Sequence, residues 1–253
     1  RILRVETRSG EHSFVKWYAQ GSDYQRECDA LTLYTPALGT DAPRLIANDD
    51  ALRMVLISRV PGESAALSDA QWDPLVHYRA GILVRRLHES SAPVYSDQFG
   101  RQSATRFENA ASALSDVVDG SLIAHARLFI ARAMDVKSVS LVPTHRENHP
   151  RHWVIDPGGH VRLIDFGMCE YDPWIVDAFA LEHEYWRVDP QLRIAFLEGY
   201  DREISEDDEA LLRAHHAVRA LEGILAAQAP GSTKLQKRTA HDVFDRLVGN
   251  TLF

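Results

Sequence analysis

The residues best suited to chemistry lie around one short hairpin in the second half of the chain. Residues 154–164 hold two apolar runs around an Asp-Pro-Gly-Gly turn, which predicts two antiparallel strands joined by a tight turn. Glu147 and His152 precede this hairpin, and Asp165 follows it. A carboxylate on each side of a hairpin can face one pocket, where one orients a nucleophile and the other holds a metal ion.

Three histidines offer a second interpretation of the same segment. His145, His149 and His152 have i, i+4, i+7 spacing, which on a helix places three zinc ligands on one face. Pro150 argues against that helix, because a proline disfavours helical backbone at the preceding residue and lacks a backbone donor. Zinc binding therefore stays the alternative to the paired carboxylates.

The net charge of −8 is unevenly distributed along the chain. Residues 1–60 carry 8 basic and 8 acidic side chains, so the acidic excess falls in residues 61–253. An acidic second part repels nucleic acid and attracts cationic small molecules, so we expect a small-molecule partner and no nucleic acid. The alternative is an acidic surface that serves solubility alone.

Cysteine usage and hydropathy indicate where the protein works. Cys28 and Cys169 lie far apart and form neither a disulfide framework nor a ligand cluster, which fits a cytoplasmic location. No apolar run approaches the ~18 residues of a membrane span, so no membrane partner is expected. The start of the chain has no signal-peptide pattern. Both a monomer and a homodimer are compatible with the sequence.

The first part of the chain predicts strands around one helix. Hairpins are expected over residues 3–18 and 43–58, with a helix between them over residues 23–34 that Asp23 would cap. Val60-Pro61-Gly62 then breaks the pattern and predicts a hinge. The chain is therefore expected to divide into residues 1–60 and residues 61–253.

Apart from the central hairpin, the second part predicts helices. Ser205 begins a capping box with Asp208, a signal that opens a long helix. Another helix is predicted before the hairpin from apolar residues at helical spacing, which include Leu75, Tyr78, Ile82 and Leu87. The expected helices cover residues 68–89, 103–118, 121–136, 205–228 and 234–247.

The segment from His145 to His152 resembles the catalytic loop of the aminoglycoside phosphotransferase and choline kinase-like family, whose members have a protein-kinase-like fold. In that family the loop runs His-x-Asp, with Asn five residues after the Asp. Asp165-Phe166-Gly167 resembles the family's metal-binding Asp-Phe-Gly motif. The His149-Pro150 pair and Trp153 are more similar to antibiotic phosphotransferases than to protein kinases.

Other segments carry the resemblance in the same order along about residues 1–186. Lys16, in Phe-Val-Lys, resembles the strand lysine that holds the α and β phosphates. Glu27 resembles its ion-pair partner, and residues 56–61 resemble the hinge strand that binds the nucleotide base. Further similarity lies in Leu87-His88 and in Asp172-Pro173-Trp174 with Asp177.

The resemblance implies an α+β, bilobal protein-kinase-like fold. A small N-terminal sheet lobe with one helix would bind ATP or GTP, and a large, mainly helical C-terminal lobe would bind the acceptor. Lys16 would hold the phosphates, Glu27 would hold the Lys16 ammonium in place, and Arg59 and Val60 would contact the base. The implied reaction moves the γ-phosphoryl group to a hydroxyl of a small molecule.

The same resemblance assigns the acceptor side of the site. Asp165 and His152 would hold Mg²⁺, and Glu147 would be the catalytic base. Apart from the resemblance, Glu182 and Glu184 either line the acceptor cleft or belong to a solvated helix turn. The acidic bias indicates a cationic antibiotic, such as an aminoglycoside or a basic peptide. The alternatives are a choline or sugar kinase, a nucleotide-binding module with impaired catalysis, and a hydrolase that uses the histidines.

The sequence departs from the family pattern at three places. Glu147 stands where the family has Asp, which keeps the basicity to within roughly half a pKa unit but extends the reach. His152 stands where the family has Asn, and imidazole suits Mg²⁺ poorly, so His152 would weaken one metal site or contact phosphate instead. The Gly-rich phosphate loop is reduced to Ser9-Gly10.

Overall fold

A computed structural model describes residues 1–6, 10, 12–229 and 244. Two compact units appear in it. One comprises Arg1–Val94 with Val142–Glu203, and the other comprises Tyr95–Leu141 with Ile204–Phe253. Both hairpins of the N-terminal part and the central hairpin fall in the first unit. The predicted division at residue 60 stays a proposal.

A four-stranded antiparallel sheet opens the first unit. Its strands are β1 (Ile2–Glu6), β2 (His12–Trp17), β3 (Leu45–Asp49) and β4 (Met54–Ser58), in the order β1-β2-β4-β3. Both predicted hairpins are confirmed by this pairing. Lys16 lies opposite Ile2 on one side and Val55 on the other, so its strand is central. A central strand holds a side chain in a fixed position.

The helix α1 (Gly21–Asp29) follows the first hairpin, but its start differs from the prediction. Gln20 is the N-cap residue and makes no side-chain cap, so the prediction that Asp23 caps the helix was wrong. Asp23 lies in the first turn, where a negative charge suits the helix dipole, and it pairs with Arg26. The helix continues as a wider π-type turn over Ala30–Tyr34.

The predicted central hairpin is confirmed and acquires a third strand. β8 (Trp153–Ile155) pairs with β9 (Val161–Leu163), and β5 (Glu63–Ser64) pairs with the other edge of β8. Asp156 accepts hydrogen bonds from the backbone N–H groups of Gly158 and His160 and so closes the turn. The other short strands are β6 (Val94–Ser96), β7 (Val139–Thr144) and β10 (Glu170–Pro173).

Three helices complete the first unit: α2 (Pro74–His88), α5 (Phe179–Leu181) and α6 (Pro190–Tyr200). Helix α2 begins six residues later than predicted, because residues 65–72 form 3₁₀ turns and Asp73 caps a helix that starts with a proline. Of the apolar residues that predicted this helix, Leu87 is buried, whereas Leu75, Tyr78 and Ile82 are exposed. The buried face also contains Val76, Ala80, Leu83 and Val84.

Helices α2 and α6 pack through glycines. A Cβ atom on Gly199 would overlap the backbone carbonyl oxygen of Tyr78, and one on Gly81 would overlap that of Phe196. Backbone cannot move aside as a flexible side chain can, so both positions need glycine. The contact brings Tyr200 at the end of α6 next to His88 at the end of α2.

We expect Gly199→Ala to lower the free energy of unfolding by about 2 kcal/mol or more, because the two helices must separate to admit the methyl group. Gly223→Ala is the matched control. Gly223 also lies in a helix, and a Cβ atom there would meet no neighbouring atom within 4 Å. That variant should be neutral or more stable by up to roughly 1 kcal/mol. Urea unfolding of both proteins measures the difference, and equal midpoints would contradict the packing.

The second unit is built from α3 (Phe99–Ala113), α4 (Gly120–Asp135) and α7 (Glu206–Ala227). Ser205 and Asp208 form the predicted capping box, with Ser205 Oγ accepting from the Asp208 N–H at 3.1 Å. The helix predicted over residues 234–247 lies outside the described residues. Within the described part of the chain, no helix has both the length and the apolar composition needed to cross a bilayer.

Candidate active site

A buried ion-pair cluster joins the N-terminal sheet to the segment after the central hairpin. Lys16 Nζ donates to both carboxylate oxygens of Glu27, at 2.7 and 3.0 Å, and to Asp165 Oδ1 at 2.8 Å. Glu27 is fully buried and Lys16 is 7 % exposed. Strand β2 and helix α1 therefore fix an ammonium group against Asp165, which lies 149 residues further along the chain.

Lys16 and Asp165 stabilise each other's charged forms, whereas burial raises the pKa of Glu27 above its ordinary value. Burial alone would lower the pKa of Lys16, but the carboxylates of Glu27 and Asp165 raise it above its ordinary value. Burial would raise the pKa of Asp165, and the Lys16 ammonium holds it below its ordinary value instead. The site thus keeps one fixed cation and one ionised carboxylate near neutral pH.

Asp177 holds the backbone of the segment that contains Glu147. Its carboxylate accepts the N–H groups of His145 and Arg146, at 2.8 and 2.5 Å, and lies 2.9 Å from His88 Nε2. His88 Nδ1 lies 2.7 Å from the Tyr200 hydroxyl. Burial would raise the pKa of Asp177, but the bonds from His88 and the neighbouring histidine lower it. A buried carboxylate with several donors makes a rigid support.

Two non-glycine residues of the site adopt left-handed backbone. Arg146 has φ 64° and Asp165 has φ 71°. Arg146 is fixed by ion pairs with Glu170 and, at 3.0 Å, with Asp172. Such conformations cost free energy and persist where the surroundings determine them, which is common at functional sites. His145 Nε2 lies 2.9 Å from the carbonyl oxygen of Ile164.

Glu147, His152 and Asp165 come together as a group that can hold a divalent cation. One ligand atom from each lies within 4.8 Å of the other two. His152 Nδ1 lies 3.0 Å from the backbone oxygen of Glu147, and its Nε2 lies 3.6 Å from Asp165 Oδ2. Two carboxylates and one imidazole suit a divalent ion, although Mg²⁺ prefers oxygen ligands alone.

A cavity of about 350 Å³ lies beside this cluster. Lys16 and Asp165 line it together with Arg59 and Val60, the two residues predicted to contact a nucleotide base. The rest of its lining is mostly apolar, as is usual for cofactor sites. It comprises Ile2, Arg4, Phe14, Pro43, Ile57, Ser58, Gly62, Val154 and Ile164.

Glu182 and Glu184 lie apart from both features. They belong to a π-type turn over Glu182–Trp186. Glu182 is buried there, and Glu184 Oε2 forms an ion pair with Arg151 Nη2 at 3.3 Å. Neither belongs to the lining of the cavity or to the metal-ligand group. Their predicted contact with an acceptor stays a prediction.

Sequence reasoning missed two side chains of the site. Arg4 lines the cavity because it lies two residues after Ile2 on β1, and alternate residues of a strand share one face. Arg26, one residue before Glu27, donates from Nε to the carbonyl oxygen of Gly167 at 3.2 Å. The strand register is the signal that would have found Arg4. The loop predicted at Ser9-Gly10 lies mostly outside the described residues.

His77 supports strand β8, which directly follows His152. Its ring packs edge-on against Trp153 with centroids 4.9 Å apart, and it is fully buried. Burial lowers the pKa of His77 to about 4, from 6.5. Because the folded-state pKa is the lower one, the unfolded chain binds protons better, so stability present above pH 6.5 is lost as the pH falls toward 4.

The free energy of unfolding of the wild type should fall when the pH is lowered from 7 to 5. In His77→Gln we expect this fall to be smaller by about 2 kcal/mol. His160→Gln, at an exposed position of the hairpin turn, should keep the wild-type pH dependence. Urea unfolding at both pH values measures the difference. Parallel curves for wild type and His77→Gln would show that His77 takes no part in the acid sensitivity.

The comparisons with known proteins agree with this geometry. The family model of the Phosphotransferase enzyme family matches residues 2–231. No curated protein matches the chain.

Among solved structures, three similar proteins are phosphotransferases. One is the GDP and kanamycin complex of APH(2")-IIia, with 12 % identity, a TM-score of 0.74, and coverage of 99 % of this chain and 93 % of that one. Another is macrolide 2'-phosphotransferase MphH from Brachybacterium faecium, with 13 % identity, a TM-score of 0.68, and coverage of 97 % and 88 %. The third is an aminoglycoside phosphotransferase from Alicyclobacillus acidocaldarius, with 13 % identity, a TM-score of 0.61, and coverage of 99 % and 89 %.

These matches confirm the α+β protein-kinase-like fold and the resemblance found in the motifs. The match covers both the strand that carries Lys16 and the segment that carries Glu147 and Asp165. The chain therefore belongs to the Phosphotransferase enzyme family and is a small-molecule phosphotransferase.

Proposed function

We propose that this protein transfers the γ-phosphoryl group of ATP or GTP to a hydroxyl of a cationic small molecule. The observation that carries the proposal is the position of Lys16. Its ammonium lies between Glu27 and Asp165, and Lys16 is one of the residues that line the cavity. A buried, oriented cation beside an apolar cavity is what a nucleotide with charged phosphates requires.

The cavity offers a place for each part of the nucleotide. The base would lie between apolar side chains such as Phe14 and Ile57, near the backbone of Arg59 and Val60. The phosphates would lie toward Lys16, and the Arg4 guanidinium would add a second positive charge to the lining of the cavity. Phosphoryl transfer depends mainly on such positioning and charge neutralisation.

Asp165 and His152, with Glu147 nearby, would hold a divalent cation. Bound there, the cation would neutralise charge on the phosphate oxygens. The protein's own contribution is to keep Asp165 ionised through Lys16 and to fix the His152 ring through the carbonyl of Glu147. The donor atoms of Glu147, His152 and Asp165 support these roles.

Glu147 would receive the proton in the transfer step. The acceptor oxygen forms a bond to the γ phosphorus, the bond from that phosphorus to the β–γ bridging oxygen breaks, and the hydroxyl proton passes to the Glu147 carboxylate. Asp177 supports this geometry because it fixes the backbone on the N-terminal side of Glu147. The product nucleotide leaves as the diphosphate.

The acceptor class rests on charge. The acidic excess lies in residues 61–253, and Glu182 and Glu184 follow Asp177 by a few residues. A cationic antibiotic such as an aminoglycoside or a basic peptide fits that charge better than a neutral sugar does. Kanamycin in one similar structure supports an acceptor of this kind. Such a reaction would give resistance by O-phosphorylation in the cytoplasm.

A second function is favoured by one observation. Asp165 Oδ1 is already engaged by Lys16, and the ligand facing its other oxygen is an imidazole. A chain that binds nucleotide in this arrangement without transferring phosphate would be a nucleotide-binding module. Such a module would bind nucleotide in the same cavity as a phosphotransferase would, and it would differ only in transferring no phosphoryl group.

The test is a transfer assay with ATP and with GTP over a panel of acceptors: an aminoglycoside, a basic peptide antibiotic, a macrolide, choline and a neutral sugar. Mass spectrometry of each acceptor should show one added phosphoryl group on a cationic member. Lys16→Met should abolish it. Thermal stabilisation by nucleotide without a phosphorylated acceptor would favour the nucleotide-binding module.

A further inference from the structure

The orientation of the His152 ring determines which nitrogen carries its proton. Its Nδ1 lies 3.0 Å from the backbone carbonyl oxygen of Glu147. A carbonyl oxygen only accepts hydrogen bonds, so Nδ1 must donate and carries the hydrogen. In the neutral ring, Nε2 is then the nitrogen with the lone pair.

That lone pair faces a carboxylate. His152 Nε2 lies 3.6 Å from Asp165 Oδ2, longer than the 2.7–3.2 Å that is typical of an N–H···O hydrogen bond. In the neutral ring the two lone pairs repel, and either a proton on Nε2 or a metal ion between the two atoms would remove that repulsion. A proton would draw the two atoms to hydrogen-bond distance, so the longer separation favours the metal ion. Two ligands bound to one ion at about 2.1 Å are roughly 3.0–3.4 Å apart, so the separation is close to that of two ligands on a shared ion.

The bond from Nδ1–H to a backbone carbonyl is itself the usual support of a metal-binding histidine. Such a bond fixes the tautomer and the plane of the ring and raises the basicity of the ligating nitrogen. His149 lacks this arrangement, although its ring centroid lies 4.4 Å from that of His152. The backbone N–H of Arg151 donates to His149 Nδ1 at 3.2 Å.

The donor set also determines which ion is preferred. Asp165 and Glu147 supply hard carboxylate oxygens, and His152 supplies a nitrogen. Mg²⁺ binds oxygen ligands and gains little from imidazole, whereas first-row transition ions bind imidazole well and accept carboxylates too. Manganese is the ion of that series closest to magnesium in its preference for carboxylates, and it is visible to magnetic resonance.

We propose that His152 Nε2 is a metal ligand together with Asp165 and Glu147, and that the site binds Mn²⁺ in preference to Mg²⁺. The inference rests on the proposed phosphotransfer site and goes beyond it by assigning the metal. Glu147 has two carboxylate oxygens, so one can face the cation while the other faces the acceptor hydroxyl.

The test uses the full chain with Mn²⁺ and a nonhydrolysable ATP analogue. Pulsed electron paramagnetic resonance should show nitrogen coupling from one imidazole in the wild type. The coupling should disappear in His152→Asn and persist in His149→Asn, the matched control. The ratio of Mn²⁺ to Mg²⁺ affinity, measured by competition titration, should fall roughly tenfold or more in His152→Asn.

The wild-type spectrum decides the question even if a variant fails to fold. Bound Mn²⁺ without imidazole coupling would overturn the inference, and so would coupling that survives in folded His152→Asn. If either of these results were found and the protein still phosphorylated an acceptor in the presence of Mg²⁺, the inference would fail while the proposed function stood. If the chain bound neither Mn²⁺ nor nucleotide and transferred nothing, both would fail.

Discussion

Asp165→Asn is expected to lower kcat by roughly a thousandfold, because the variant loses the ionised carboxylate that faces the cation site and pairs with Lys16. The fold should survive. Asparagine tolerates the left-handed backbone that Asp165 adopts, and Lys16 keeps its partner Glu27. Steady-state kinetics measure the effect, with an acceptor that the panel assay has shown to be a substrate.

Asp69→Asn is the matched control for this prediction. Asp69 is exposed and lies in a 3₁₀ turn before helix α2, so the substitution has the same chemistry away from the site. Its kcat should equal that of the wild type. A folded Asp165→Asn enzyme with kcat within about fivefold of the wild type would show that Asp165 does not act in the transfer.

Glu147→Gln is expected to lower kcat by about 10²- to 10⁴-fold, because an amide cannot take the acceptor proton. The affinity for nucleotide alone should change by less than about threefold, since the described cavity is lined by other residues. Kinetics give the first value and calorimetric titration gives the second. Glu198→Gln, at an exposed position of helix α6, is the control.

Glu147→Asp separates the charge of this residue from its reach. Aspartate keeps the carboxylate but withdraws it by one methylene, so kcat should fall less than in Glu147→Gln, by roughly tenfold to a hundredfold. Full activity in both Glu147 variants would remove the residue as proton acceptor. A large loss of nucleotide affinity in Glu147→Gln would indicate instead that its main role is to bind the cation.

Much of the fold could be predicted because its signals are local. The central hairpin follows from an Asp-Pro-Gly-Gly turn between short apolar runs, and helix α7 follows from the Ser205–Asp208 capping box. The start of α2 was predicted six residues too early, although Asp73 followed by Pro74 is itself a local signal for a helix start. Residues 65–72 also contain apolar side chains at helical spacing, and in the structure they form 3₁₀ turns.

The cluster of Lys16, Glu27 and Asp165 shows how far sequence reasoning reached in the site. No periodicity connects Lys16 with a residue 149 positions away, and the ordered motifs of a related family supplied that link. Arg4 was missed because a single strand arginine is ordinarily a surface residue. The tautomer of His152 could not be predicted from the sequence, because it depends on the position of one backbone carbonyl oxygen.

The most direct test of the account is a crystal structure of the protein with a nonhydrolysable analogue of ATP or GTP and a divalent cation. The account predicts the triphosphate in the described cavity, with Lys16 Nζ bonded to the α or β phosphate and the γ phosphate between Asp165 and Glu147. A nucleotide bound at another surface, with Lys16 still paired only to Glu27 and Asp165, would contradict it.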